Sequence, residues 1–160
     1  MSMIGNFLSV SKEQLDGLIA DPDKVTDFLY ADGGAAILDI DKAWHGIHFL
    51  LTGSEWEGDP PWSLVILGGT PLGPDVGYGP TRYLLPNQVG DVAQALKRLP
   101  RSELEKRYDP AKMEEMGIYP QIWEEEGPEA LGYIVSYYDE VVKYYQDAAA
   151  QQHAMLLFLN

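Results

Sequence analysis

The sequence has 160 residues, 46% of them apolar and 22% charged, which is enough chain for one buried core and unlike a disordered composition. Eleven Lys and Arg against 25 Asp and Glu leave a formal charge of −14, so the chain lacks the cationic footprint that nucleic-acid binding draws on. Cysteine is absent, which removes disulfide scaffolds, thiolate metal sites and cysteine nucleophiles.

Residues 1–8 carry no basic start and no long apolar run, so a signal peptide is not expected. The longest apolar runs, residues 47–51 (broken by His48) and 155–159, fall far short of the roughly 18 residues that a membrane span needs. The expectation is a cytoplasmic protein with no membrane or nucleic-acid partner.

Residues 2–10 alternate weakly and suit a first strand. Ser11 is placed to cap a helix in which Leu15, Leu18 and Ile19 fall at helical spacing before Asp21-Pro22. Residues 23–30 read as a second helix with Val25, Phe28 and Leu29 on one face, and Gly33-Gly34 then breaks the chain. Over residues 41–51, Trp44, Ile47, His48 and Leu51 recur at i, i+3, i+4 and i+7. Asp39 or Asp41 is the expected N-cap there, and Gly53 sits where a left-handed residue ends a helix.

Residues 53–90 hold eight glycines and six prolines. Pro60-Pro61, Gly68-Gly69 and Pro71 break up this stretch around a short apolar segment, residues 64–67. Residues 73–80 are expected to form an irregular surface excursion, with a short strand at Tyr83-Leu84-Leu85. Asn87 is a candidate cap for a helix carrying Val89, Val92, Ala93 and Leu96, and Pro100 stops it. Ser102 and Glu105 have the spacing of a capping box, and Asp109-Pro110 opens a further helix that Gly117 ends. A long helix over residues 128–151 presents Leu131, Ile134, Val135, Tyr138, Val142 and Tyr145 on one face. Residues 153–159 are apolar throughout and read as a buried closing strand beside the first. The fold expected is α+β: one domain over residues 1–160, with a small sheet holding both terminal segments against several helices.

Met3-Ile4-Gly5, the run Leu38-Asp39-Ile40-Asp41-Lys42-Ala43-Trp44 with His48 and Leu51-Thr52-Gly53, and Ile118-Tyr119-Pro120 followed by Trp123 together resemble the YfbM-like family of uncharacterised bacterial proteins. The likeness spans nearly the whole chain. It implies a single-domain α+β protein of the bacterial cytoplasm and no particular activity, and His45 lies outside its pattern.

If residues 41–51 are helical, Asp41, His45 and His48 lie along one side. Two imidazoles and a carboxylate suit a divalent metal, but helical histidine pairs that bind metal more often stand at i, i+4, and no glutamate lies between these two. No metal is expected; the competing reading buries Trp44 and His48 in the core. There is no nucleophile elbow, Walker loop or dinucleotide fingerprint, and no cofactor is expected. Arg82 is the one basic residue between Lys42 and Lys97. It either anchors an anionic ligand or pairs internally with Asp39 or Asp41. The acids Glu124-Glu125-Glu126 beside Gly127-Pro128 read as a solvated loop.

Two functions stay open. One is a protein-binding module whose partner is a basic protein, engaged through Glu55, Trp56, Glu57 and Trp62, where aromatic rings stand among carboxylates. The other is a small-molecule binder or enzyme with a pocket near Asp41, Lys42, Trp44, His48, Tyr78 and Arg82, in which His48 is the candidate catalytic base. The first is preferred.

Overall fold

Strands β1 (Gly5–Val10) and β5 (Ala154–Leu159) pair antiparallel along their whole length, Gly5 opposite Leu159 and Val10 opposite Ala154. This is the pairing of the two terminal segments that the sequence pattern suggests. It is seen in a computed structural model that describes residues 2–31 and 36–160; the expected break at Gly33-Gly34 lies outside the described residues.

β1 and β5 form the middle of a five-stranded antiparallel sheet of order β2-β1-β5-β4-β3, completed by β2 (Leu38–Asp39), β3 (Thr70–Asp75) and β4 (Pro80–Leu84). Side chains alternate across a strand, so β5 feeds two cores. Met155 and Leu157 enter the larger one; Ala154, Leu156 and Phe158 enter a smaller one. That is why the strand is apolar at every position. The smaller core is closed by α1 (Lys12–Ala20) and α2 (Val25–Leu29) through Leu15, Leu18, Val25 and Leu29. The larger core is closed by α3 (Trp44–Thr52), α4 (Pro86–Lys97), α5 (Arg101–Lys106), α6 (Pro110–Glu115), α7 (Trp123–Glu126) and α8 (Pro128–Ala150).

Several ends match their local chemistry. Ser11 Oγ accepts the Gln14 N–H at 3.1 Å while Gln14 Oε1 accepts the Ser11 N–H at 2.9 Å, a reciprocal capping box. Asp109 accepts from the Lys112 N–H to start α6. Gly53 ends α3 at φ 76°, and its N–H bonds the Phe49 carbonyl at 2.7 Å.

Elsewhere the structure corrects the expectation. The excursion expected over residues 73–80 is shorter: residues 70–75 form the edge strand β3, despite Pro71, Gly73 and Pro74 and a register shift between Leu72 and Asp75, and Pro80 already belongs to β4. Prolines are tolerated at a sheet edge, where one side of the strand needs no ladder donor. Leu85, not Asn87, stands at the cap position of α4, which begins at Pro86, and Gln88 Oε1 takes the Leu85 N–H at 2.8 Å. Ser102 lies inside α5 rather than at its cap, and Pro100 precedes the helix. On α8 the buried stripe passes through Ala130 and Val141 where Leu131 and Val142 were expected; those two are half-buried. Ile19 is 41% exposed, off the buried face of α1. The three acids at 124–126 are exposed, but on the short helix α7.

Candidate functional site

Helix α3 is unusual in burying eight of its nine residues, including both histidines. An imidazole brought into such surroundings must hydrogen-bond its nitrogens or pay for their desolvation. A single strap of chain, residues 54–59, meets that demand at the two Nε2 atoms, while His48 Nδ1 is buried with no partner among the described residues. His45 Nε2 lies 2.8 Å from the Glu55 carbonyl and His48 Nε2 lies 3.0 Å from the Glu57 carbonyl. His45 Nδ1 accepts the Tyr119 N–H at 2.8 Å, so its proton sits on Nε2 and is donated to Glu55. The bond to Glu57 likewise places the His48 proton on Nε2. Thr52 Oγ1 accepts the Ser54 N–H at 3.1 Å at one end of the strap. Gly58, at φ 143°, lets the other end approach: a Cβ there would come within 2.6 Å of Thr52 Cγ2.

Burial holds both imidazoles neutral. It lowers the His48 pKa to about 4 against the opposing pull of the Glu57 carbonyl, and His45 nearby lowers it further. His45 is lowered as well, chiefly by burial, with Glu55 acting in the other direction.

On the outside of the strap, Glu55, Trp56, Glu57 and Asp59 are exposed. Among the described residues their three carboxylates take neither a hydrogen bond nor an ion-pair partner; the ion pairs of the molecule lie elsewhere on its surface. Trp56 is 56% exposed and rests on the His45 ring, with centroids 4.5 Å apart at 30°. Beside it opens a cavity of about 680 Å³, lined by Trp56, Glu57, Asp59, Ser63, Leu64 and Leu67 among others. Its lining carries two acids and no base. Trp62, expected on the same face, is half-buried and packs against the larger core.

The second expected site is not assembled. Asp41 stands at φ 52° in a short 3₁₀ turn, Asp41–Ala43, that leads into α3. Its carboxylate caps no helix: Oδ2 accepts the Tyr133 hydroxyl at 2.7 Å, while Asp39 Oδ1 takes the Asp41 N–H at 2.8 Å. The Lys42 N–H donates to the Tyr133 oxygen at 3.0 Å, and burial with the Asp41 contact pushes the Tyr133 hydroxyl pKa well above its usual range. Trp44 is fully buried and donates Nε1–H to the Met3 carbonyl. Arg82 pairs with neither Asp39 nor Asp41; its Nη1 donates to the carbonyls of Ile66 and Gly68 at 3.1 and 2.9 Å. Tyr78 caps the β3–β4 hairpin, its N–H on the Leu159 carbonyl. Asp41, Trp44, His48 and Arg82 do not line any of five surface cavities of about 330 to 680 Å³.

Sequence reasoning missed His45 as the platform beneath Trp56, and Asp59, Leu64 and Leu67 as walls of the cavity. The signal was present in part. Two histidines three residues apart on an otherwise apolar helix require buried partners.

The sequence matches a family described as a domain of unknown function, DUF1877, over residues 1–158. It is 33% identical over 129 residues to protein YfbM of Escherichia coli (strain K12), covering 76% of this chain and 75% of the relative. A crystal structure titled as a protein of unknown function, YfbM from Escherichia coli, superposes with a TM-score of 0.79 at 26% identity, covering 98% of this chain and 99% of that one.

Proposed function

We propose, for a chain that belongs to the DUF1877 family, that it is a binding module which engages a basic protein through the strap at residues 54–59. The observation that carries this reading is an exposed tryptophan among three unpartnered carboxylates, beside a cavity with acids and no base in its lining. Aromatic rings supply much of the binding energy at interfaces, and charge complementarity steers the partner and sets the salt dependence. The strap is pre-organised by two buried imidazoles, so little ordering remains to be done on association.

The alternative, an enzyme pocket with His48 as base, draws no support from the geometry. A general base must reach a substrate proton; the free lone pair of His48 is on Nδ1, which is buried without a partner, and His48 lines none of the five cavities described above.

The test is recovery of a partner from lysate on the immobilised chain and on a Glu55→Gln/Trp56→Ala/Glu57→Gln variant of the same melting temperature. The expected complex dissociates as salt rises and is absent from the variant. A complex indifferent to both salt and the variant places the interaction on another surface and defeats the proposal.

A further inference from the structure

Trp56 is the last ring of a stack that runs out from the interior. The Tyr119 and Trp44 centroids lie 5.7 Å apart at 25°, Trp44 and His45 lie 4.9 Å apart at 10°, and His45 and Trp56 lie 4.5 Å apart at 30°. Trp44 and His45 are 0% and 1% exposed, whereas Trp56 is 56% exposed. One face of the Trp56 indole is therefore closed by the imidazole, and its exposed area belongs to the opposite face and edge. The imidazole beneath it is fixed, held at both nitrogens by the Tyr119 N–H and by the Glu55 carbonyl. Glu55 and Glu57 flank the indole in sequence, and Asp59 stands on the wall of the same cavity as Leu64 and Leu67.

We infer that this site takes an arginine side chain of the basic partner, its guanidinium stacked on the open face of Trp56 and its N–H fork turned to the Glu57 and Asp59 carboxylates. The inference rests on the reading of the strap as a docking surface for a basic protein. Two features select arginine over lysine, and a third serves either cation. A flat cation extends a stack of flat rings, and indole is the strongest cation–π acceptor among side chains. A guanidinium offers a planar fork that meets carboxylates two bonds at a time, and it gives up its water more readily than an ammonium. Leu64 and Leu67 offer apolar wall to the methylene stem. The His45 ring beneath Trp56 is neutral, so it does not repel the incoming charge.

The test uses the full chain at low salt and two short capped peptides of glycine alternating with either arginine or lysine, titrated by calorimetry. The arginine peptide is expected to bind about tenfold more tightly than the lysine peptide, from the flat stacking and two-point carboxylate contact that an ammonium lacks. In Trp56→Leu that preference is expected to shrink to the part that the carboxylate fork alone supports, while weak salt-dependent binding of both peptides persists; in Glu57→Gln the arginine peptide is expected to weaken with the fold unchanged by circular dichroism. Equal affinity for the two peptides overturns the arginine site and leaves the basic docking surface standing. A preference for arginine undiminished in Trp56→Leu overturns the assignment to this platform. No binding of either peptide overturns both readings.

Discussion

At the scale of single residues, the neutral histidines of α3 make acid the weakness of this protein. His48 takes up its proton near pH 4 in the fold, against an ordinary value of 6.5. Between those values the unfolded chain holds more protons than the native one, so stability falls as pH is lowered through that window and is fully available above it. Below about pH 4 the loss from His48 alone approaches about 3 kcal/mol, and His45 acts in the same direction. Urea unfolding followed from neutral pH down to about pH 4 is expected to give a falling midpoint, with a shallower fall in His48→Gln, which has no proton to gain. An identical slope in the variant assigns the pH dependence to other groups. The residue types announced part of this. Histidines at 45 and 48 on an apolar face imply burial, but their acceptors are backbone carbonyls nine and ten residues away. Carbonyls carry no sequence signature. Arg82 was misjudged for the same reason: its expected carboxylate partner is replaced by the Ile66 and Gly68 carbonyls.

At the scale of elements, helix ends were the most legible feature, because caps depend on a few neighbouring residues. The box at Ser11 and Gln14, the Asp109 cap of α6 and the glycine after α3 are all local chemistry. Gly53 allows a clean measurement. Its φ is 76° and no atom lies within 4 Å of a Cβ built there, so Gly53→Ala adds backbone strain without a clash. We expect it to cost about 1 kcal/mol, the penalty of a left-handed alanine. Gly53→Asn should cost less, since asparagine tolerates that conformation. Equal losses for the two, read from thermal unfolding, would point to a cause other than the dihedral angle. Strand β3 was illegible. Its prolines and glycine read locally as a breaker, and only its place at the edge of the sheet, paired on one side with β4, makes them compatible with a strand.

At the scale of the whole molecule, the fold hangs on β5, which lies between β1 and β4 and carries side chains into both cores. Leu156 is fully buried in the smaller core. Leu156→Ala is expected to cost about 2–5 kcal/mol, the usual range for a cavity left by a deleted core leucine. Because the strand joins the two cores, both should melt together, and near-ultraviolet and far-ultraviolet circular dichroism should trace one transition. Two separated transitions would show that the α1–α2 layer unfolds independently of the rest. The sequence by itself determined the α+β class, the pairing of the terminal strands, most helices and the acidic character, since these follow from periodicity, caps and composition. Only the tertiary structure decided which of those acids and rings stand exposed together. Glu55, Trp56, Glu57 and Asp59 are exposed and poised together because two imidazoles from α3 grip the strap from behind. Asp41, Trp44, His48 and Arg82, by contrast, each bind a different neighbour. Contacts between distant segments are set by how the layers pack, and no pattern of spacing along the chain encodes which backbone carbonyl a buried side chain will meet.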